Sequence, residues 1–159
     1  RLTTVFGWAP RPRLDLVTNL FAYNAWKNKK VQIFGDGMQY RSLIHVKDIA
    51  RAFVDTLEAP RFMRSSKIYH LGEEANNKTV KEIAQTVQTF IPDTQIDFKE
   101  GETTDRRDYR INCQKLKNII GWNAKYSVED GIQEMIEKFE TLDLNWDDDK
   151  YRNSSFNYL

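Results

Sequence analysis

The chain has 159 residues, enough for about one domain, and 40% of them are apolar, enough for a buried core. Its 24 basic and 23 acidic residues leave a formal net charge of +1, which argues against nucleic acid as a partner. The single Cys113 excludes an internal disulfide, and no apolar run approaches the ~20 residues that cross a membrane. We therefore expect a cytoplasmic protein without membrane contact. Two histidines and one cysteine, far apart in sequence, give no metal-ligand set.

The first part of the chain alternates between strand and helix patterns. Runs of β-branched and aromatic residues predict strands over residues 2–6, 31–34, 43–46 and 67–71. Helices are predicted to begin at Asp15 and at Asp48, and Pro60 ends the second of them. The helix that follows Asp48 has apolar residues at helical spacing, which predicts one buried face. This predicted face comprises Ile49, Ala52, Phe53, Thr56 and Leu57.

The second part contains two helix starts with capping signals. Thr79 is followed by Glu82 in a capping-box pattern, and Ser127 with Asp130 opens the last predicted helix. Between these helices the pattern predicts a strand over residues 94–98 and a short helix over residues 112–120, with Gly121 as its left-handed cap. The overall pattern is that of a mixed α/β (α+β) fold, in which helices and short strands are interleaved.

The predicted domain covers residues 1–141. Residues 142–159 are acidic and polar, and we predict that they form a C-terminal tail.

Arg41 is the residue whose placement first indicates a binding role. It stands between a Gly35-Asp36-Gly37 sequence, which predicts a hairpin-type turn, and a buried apolar run. A guanidinium fixed at such a place suits an anion, most simply a phosphate, because its planar donors are charged. For any single arginine an ordinary surface position at a sheet edge is the more common case, so the residue alone does not decide between the two interpretations.

Six short motifs give this arginine a context. They are RLTTVFG at residues 1–7, RLDLVTN at 13–19, GDGMQYRSLIHVKDIARA at 35–52, YHLG at 69–72, DRRDY at 105–109 and SVEDGI at 127–132. Their order and spacing resemble the nucleotide-sugar epimerase/dehydratase family, the extended short-chain dehydrogenases/reductases, over nearly the whole chain. The resemblance implies the C-terminal substrate-binding subdomain of such an enzyme, with the last strand or strands of the Rossmann sheet at its start.

The cofactor-binding parts of that family have no counterpart in the sequence. No Gly-rich nucleotide loop is present, and Tyr23 and Lys27, which have the spacing of the family's catalytic pair, lie downstream of the first strand rather than upstream. We therefore predict no catalytic residue in this chain. The resemblance implies that NAD or NADP binds in the intact enzyme and not to this chain alone. It also implies an N-terminal cofactor-binding half as partner, and the face left uncovered predicts a homo-oligomer or pairing with that half.

The resemblance further implies five residues that bind a nucleotide-diphosphate sugar. They are Asn19, Arg41, Arg107, Arg106 and Arg13. Asn19 matches the family's phosphate-contacting asparagine, and the first turn of a helix favours an anion. Arg41 matches the family's diphosphate arginine. Glu102 and Thr103 stand where many members have Arg-Pro, so the second diphosphate contact is assigned to Arg106 or Arg107.

Other interpretations of these residues stay open at this point. Arg106 and Arg107 could form solvated ion pairs with the neighbouring aspartates. Arg13 could reach the sugar or pair with Asp15, and His45 is interpreted as a structural residue. The chain as a whole is predicted to be the substrate-binding portion of a nucleotide-sugar epimerase or dehydratase. The alternative is a non-catalytic module that binds nucleotide sugars or another protein. Neither the base nor the sugar is specified.

Overall fold

The structure is a computed structural model that describes residues 1–100 and 107–153. Its strands are β1 (Thr4–Phe6), β2 (Lys30–Phe34), β3 (Tyr40–His45), β4 (Asn77–Thr79) and β5 (Gln95–Lys99). Its helices are α1 (Val17–Asn28), α2 (Val46–Glu58), α3 (Arg61–Arg64), α4 (Val80–Phe90), α5 (Gln114–Ile120) and α6 (Val128–Thr141). The interleaving of helices and short strands confirms the predicted mixed α/β fold. Among the described residues no helix has the length and apolarity to cross a membrane.

The strands form two small sheets. β3 lies between β1 and β4, parallel to β1 and antiparallel to β4, whereas β2 and β5 form a separate parallel pair. Phe6 is paired with His45, so β1 and β3 end side by side. Leu71 runs parallel to the chain before β1 through a single bridge to Leu2. The strand predicted over residues 67–71 is therefore wrong except for this bridge, because the chain that leaves α3 reaches the sheet only at Leu71.

The turn between β2 and β3 is not a hairpin, contrary to the sequence prediction, because the two strands belong to different sheets. Gly35 and Gly37 have φ angles of 75° and 72°, a left-handed conformation that glycine adopts without a side-chain clash. The carbonyls of Gly37 and Gln39 accept hydrogen bonds from the N–H groups of Lys81 and Val80, at 2.9 and 3.1 Å. The turn thereby satisfies donors in the first turn of α4, which have no partner inside the helix.

Two hydrophobic clusters lie on opposite faces of the β1–β3 pair, because successive strand residues point to opposite sides. Leu43 belongs to the larger cluster, in which α1, α4 and α6 contribute Phe21, Ala22, Ile83, Val87, Ile132, Met135 and Phe139. Ile44 belongs to the smaller cluster, in which α2 and α5 contribute Ile49, Ala52 and Leu116. Trp122 and Leu71 complete this second cluster.

Three predicted helix caps are confirmed, two at helix starts and one at a helix end. Thr79 Oγ1 accepts from the Glu82 N–H at 3.1 Å while Glu82 Oε2 accepts from the Thr79 N–H at 2.7 Å, which completes the capping box of α4. Ser127 and Asp130 form the same reciprocal pair at the start of α6. Gly121 ends α5 with a φ of 76°.

Only part of the predicted apolar face of α2 is buried. Ile49 and Ala52 are 8% and 4% exposed, as expected for core residues. Phe53 and Leu57 are 58% and 71% exposed, contrary to the prediction. These two side chains lie further round the helix than Ile49 and Ala52, so the sheet that α2 covers does not reach them.

Residues 142–153 pack against the body of the protein, although the sequence predicted that they belong to a polar tail. Trp146 and Tyr151 are 4% and 2% exposed and belong to the larger cluster. The Trp146 ring meets Phe139 of α6 edge to face at 5.1 Å, and the Leu14 N–H donates to the Tyr151 carbonyl at 2.8 Å. The two aromatic side chains outweigh the polar character of their neighbours. The boundary at residue 141 stays a prediction.

Candidate functional site

Arg41 lies near the start of β3 and is 6% exposed. Its Nη1 donates to the carbonyl of Tyr40 at 2.9 Å and to the carbonyl of Arg107. Lys78 is its neighbour on β4. Both the sheet and the segment that begins at Arg107 therefore fix the orientation of this guanidinium.

Several contacts hold the segment after Arg107 against the start of β3. Asp108 Oδ1 accepts from the Tyr40 N–H at 2.8 Å, and the Tyr109 hydroxyl lies 3.2 Å from Thr4 Oγ1 on β1. The Arg110 guanidinium stacks over the Tyr40 ring at 4.5 Å from its centroid. Three consecutive side chains of the segment make these contacts, so its position is set by the fold.

This arrangement concentrates positive charge at one end of β3. Arg41, Lys78 and Arg110 lie there, and the main chain of Arg107 contacts Arg41 directly. Lys78 is 3.9 Å from Glu129, a long ion pair between partly exposed groups, which contributes little to stability. Cations grouped in this way are complementary to a phosphate anion. Arg106, also predicted as a contact, lies outside the described residues.

Asn19 and Arg13 lie together at the other end of β3. Asn19 is 3% exposed; its Oδ1 accepts from the Gly7 N–H at 3.0 Å and its Nδ2 donates to the Arg13 carbonyl at 3.1 Å. Gly7 directly follows Phe6, which is paired with His45 at the end of β3. The asparagine side chain thus fastens the loop after β1 to the start of α1.

Arg13 pairs with Asp15, as one of its two interpretations allowed. Its Nε and Nη2 donate to the two carboxylate oxygens at 3.0 and 2.8 Å, and the Asn153 N–H donates to Asp15 Oδ2 at 3.0 Å. Burial alone raises the pKa of Asp15, but the hydrogen bonds from Arg13 and Asn153 outweigh it and hold this pKa below its ordinary value. The Arg13 side chain remains 40% exposed, so it also borders solvent.

The four predicted contacts that lie among the described residues therefore fall into two groups. Arg41 and Arg107 meet at the start of β3, whereas Asn19 and Arg13 meet beyond its end. From Arg41 to His45 the strand rises about 3.3 Å per residue, which separates the two groups by about 13 Å. Sequence spacing could not indicate this, since it depends on strand register.

The geometry of Tyr23 and Lys27 favours a structural interpretation of this pair. Both donate to Asp147 Oδ1 at 2.6 Å, so they tie α1 to the C-terminal segment. Burial, followed by the hydrogen bond to Asp147, raises the pKa of Tyr23. A tyrosine with a raised pKa stays protonated near neutral pH, so it does not supply a phenolate as a catalytic base.

His45 is fully buried and joins α2 to α6. Its Nδ1 accepts from the Lys47 N–H at 3.2 Å as the N-cap of α2, so in the neutral ring the proton is on Nε2, which lies 3.1 Å from Glu134 Oε2. The ring also stacks on Tyr126 at 4.6 Å. Burial, and secondarily Lys47, lowers the pKa of His45 more than Glu134 raises it. These contacts agree with a structural role.

Asp48 is a buried charge whose role the sequence did not reveal. The sequence predicted only that α2 begins at Asp48. In the structure its carboxylate accepts hydrogen bonds from the N–H groups of Lys125 and Tyr126, each at 3.0 Å, and from the Arg51 side chain. It therefore fixes the segment before α6. In the part of the chain described, no three His, Cys, Asp or Glu residues are grouped as metal ligands.

With this element order, the comparisons with known proteins place the chain in the family of NAD-dependent sugar-nucleotide epimerases and dehydratases, the extended short-chain dehydrogenases/reductases. The chain belongs to the GDP-mannose 4,6 dehydratase family, whose model matches residues 10–135.

Relatives of known activity share this part of their sequence. The chain is 28% identical over 155 residues to UDP-glucuronic acid decarboxylase 1 of Arabidopsis thaliana, which covers 94% of this chain and 34% of that protein. It is 26% identical over 132 residues to the dTDP-glucose 4,6-dehydratase of Shigella flexneri, which covers 80% and 36%. The chain thus spans about a third of the length of these curated relatives.

Solved structures agree with this relationship. The UDP-glucose 4-epimerase of Thermotoga maritima, solved with UDP-glucose, superposes with a TM-score of 0.73 at 25% identity, covering 88% of this chain and 44% of that one. The dTDP-glucose 4,6-dehydratase of Bacillus anthracis, solved in complex with NAD, gives a TM-score of 0.70 at 28% identity, covering 90% and 44%. The matched region is thus less than half of each of these two chains.

Proposed function

We propose that this chain is the substrate-binding portion of an NAD-dependent nucleotide-sugar epimerase or dehydratase. In this proposal it holds the diphosphate of the nucleotide sugar, and NAD or NADP and the catalytic Tyr/Lys pair belong to a cofactor-binding half outside this chain. Two comparisons support the proposal: the Thermotoga enzyme carries UDP-glucose and the Bacillus anthracis enzyme carries NAD. The chain matches less than half of each.

The observation that carries the proposal is the fixed guanidinium of Arg41. A guanidinium has five N–H donors in a rigid plane, a geometry that matches two oxygens of a phosphate. The Nη1 donors of Arg41 hold two carbonyls and set the plane. We assign the Arg41 guanidinium to the diphosphate, with Arg107 as the second contact and Lys78 and Arg110 adding favourable charge nearby.

The other end of β3 is assigned a different part of the ligand. Arg13 borders solvent there and could reach the sugar, while Asn19 holds the loop on which Arg13 lies. An elongated ligand, with the diphosphate at Arg41 and the sugar towards Arg13, spans the separation of about 13 Å along β3. Arg106 stays a predicted contact of the diphosphate.

Calorimetric titration with UDP-, GDP-, CDP- and dTDP-sugars tests this assignment. Each charge-assisted hydrogen bond contributes about 1.5–3 kcal/mol, so Arg41→Ala is expected to weaken binding at least about tenfold. Because Arg41 is buried, Arg41→Lys is measured too; it keeps the charge but cannot offer a planar pair of donors. Arg64→Ala, in the exposed helix α3, is the matched control. Unchanged affinity in both Arg41 variants, with their thermal unfolding also unchanged, would contradict the proposal.

A further inference from the structure

The side chain of Asn77, on β4, connects β3 to the segment that begins at Arg107. Asn77 is the register partner of Ser42, and the Ser42 hydroxyl donates to Asn77 Oδ1. Asn77 Nδ2 donates to the Ile111 carbonyl at 3.2 Å, while its Oδ1 accepts from the Ile111 N–H at 3.4 Å. One side-chain amide thus binds both main-chain groups of a residue, as a residue of a neighbouring strand would.

This amide takes the place of a strand partner for the segment. β4 has only three residues, and residues 107–113 contain no strand. An asparagine is suited to the position because its carbonyl oxygen accepts a hydrogen bond while its NH₂ group donates one. An aliphatic side chain offers neither group, so the identity of this residue decides whether the main chain of the segment is bound here.

The segment is attached to β3 at two points, four residues apart. At the first point Arg41 Nη1 donates to the Arg107 carbonyl. At the second point Asn77 binds Ile111 and is itself bound by Ser42. Arg41 and Ser42 are adjacent on β3 and are 6% and 1% exposed. The contact between Arg41 and the segment therefore depends on where the main chain of the segment lies, and Asn77 supplies two of the hydrogen bonds that fix this main chain.

We propose that Asn77 is a positioning residue for nucleotide-sugar binding, an inference that rests on the function proposed above. Asn77 itself is not assigned a contact with the diphosphate. It acts through the segment and the Arg107 carbonyl on the orientation of the Arg41 guanidinium. Orientation matters because a planar guanidinium binds two phosphate oxygens only when its donors are aligned with them. Removal of the Asn77 amide frees the main chain at Ile111 and lowers affinity without removing a charge.

Asn76 provides a matched control. It directly precedes β4 and is 3% exposed, and its Nδ2 donates to the Tyr126 carbonyl at 3.1 Å. It therefore also holds a main-chain carbonyl, but Tyr126 lies in the segment before α6 and not in the segment that begins at Arg107. Substitutions of the two asparagines should have similar costs in stability and different effects on binding.

The test compares Asn77→Ala and Asn76→Ala in the whole chain, at a temperature at which both variants are folded. Affinity is measured by calorimetric titration with UDP-, GDP-, CDP- and dTDP-sugars. Asn77→Ala is expected to weaken binding about fivefold, the equivalent of one net hydrogen bond, whereas Asn76→Ala leaves it unchanged. Ser42→Ala removes only the hydroxyl that holds the same amide, so it is a milder variant and is expected to weaken binding about twofold.

Two further measurements separate positioning from a general loss of stability. In the Arg41→Ala chain, Asn77→Ala is expected to have no further effect on affinity, because residues that act through one contact are not additive. Hydrogen exchange needs no ligand. The Tyr40 N–H donates at 2.8 Å to Asp108 Oδ1, a partner in the segment, and its exchange is expected to be several-fold faster in Asn77→Ala than in Asn76→Ala.

Three results would overturn the inference: an affinity that Asn77→Ala leaves unchanged while binding still depends on Arg41, an equal loss in Asn76→Ala, or an additive loss in the Arg41→Ala chain. Each of these retains the proposed function. Binding that does not depend on Arg41 would instead contradict the proposed function. Exchange at Tyr40 would then decide by itself whether Asn77 positions the segment.

Discussion

α6 and α2 have similar apolar patterns but differ in how much of the pattern this chain covers. Val128, Ile132, Met135 and Phe139 of α6 are all buried. α6 also lies very close to β1, because a side chain at Gly131 would place its first carbon 2.3 Å from the Phe6 ring. On α2, Ile49 and Ala52 are buried while Phe53 and Leu57 face solvent. An apolar helical pattern therefore indicates which face of a helix is suited to burial, and it does not show how much of that face is buried within this chain.

The largest expected effect comes from removing a buried side chain on α6. Ile132→Ala is expected to lower the free energy of unfolding by about 3 kcal/mol, because it removes apolar contacts and leaves a cavity. Leu57→Ala, on the exposed part of α2, is expected to change it by less than about 0.5 kcal/mol. Urea unfolding of both variants measures this contrast. Equal losses would mean that Leu57 is buried in solution, for example in an oligomer.

A smaller loss of unfolding free energy is expected at the contact between Asp48 of α2 and the segment before α6. Asp48→Asn removes the charge that accepts from Lys125, Tyr126 and Arg51, and we expect it to cost about 2 kcal/mol because these donors lose a charged acceptor. Asp55→Asn is the control, since Asp55 on the same helix has no side-chain hydrogen bond among the described residues. If both substitutions have the same small effect, the contact between α2 and the segment before α6 is unimportant.

The smallest effect concerns pH and the junction of the two helices at His45. Its pKa is below the ordinary 6.5 in the folded protein, so the unfolded chain takes up a proton first as the pH falls. The contribution of His45 to the free energy of unfolding is therefore fully present above pH 6.5. It declines as the pH falls below 6.5, until the ring is also protonated in the folded protein. We expect a loss of up to about 1 kcal/mol between about pH 7.5 and about pH 5.5.

His45→Asn should remove most of this slope, as measured by urea unfolding at the two pH values. Carboxylates with a lowered pKa, such as Asp15 and Asp130, lose their contribution to stability only as the pH falls below their ordinary pKa of 3.8. They therefore do not add to the pH dependence between about pH 7.5 and about pH 5.5. A slope that persists unchanged in the variant would assign the pH dependence to other groups.

Local signals in the sequence were sufficient for helix ends but not for strand partners. The capping boxes at Thr79 and Ser127 and the glycine cap at Gly121 depend on contacts within a few residues, so the sequence predicted them. The Gly35–Gly37 turn was wrongly predicted as a hairpin because strand pairing depends on distant chain segments. α1 begins at Val17 rather than at Asp15, whose carboxylate binds Arg13 instead.

The candidate site shows the same limit. The motifs indicated both Arg41 and Asn19 as binding residues. That they lie towards opposite ends of β3 follows from the register of β1 and β3, which the motifs do not contain. The burial of Asp48 had no local signal, because its partners Lys125 and Tyr126 are distant in sequence. The burial of Trp146 did have a signal, since a large aromatic residue in a polar segment usually has a packing partner.

The attachment of the last described residues has a practical consequence for any shortened form of this protein. The Tyr151 carbonyl accepts from the Leu14 N–H, the Asn153 N–H donates to the Asp15 carboxylate, and Trp146 lies against Trp8. An expression boundary at residue 141 would delete these contacts and expose the aromatic surface beneath them. The loop that carries Arg13 would lose its anchor, so a truncated form would be disturbed at the Arg13 end of β3 while the Arg41 end stays in place.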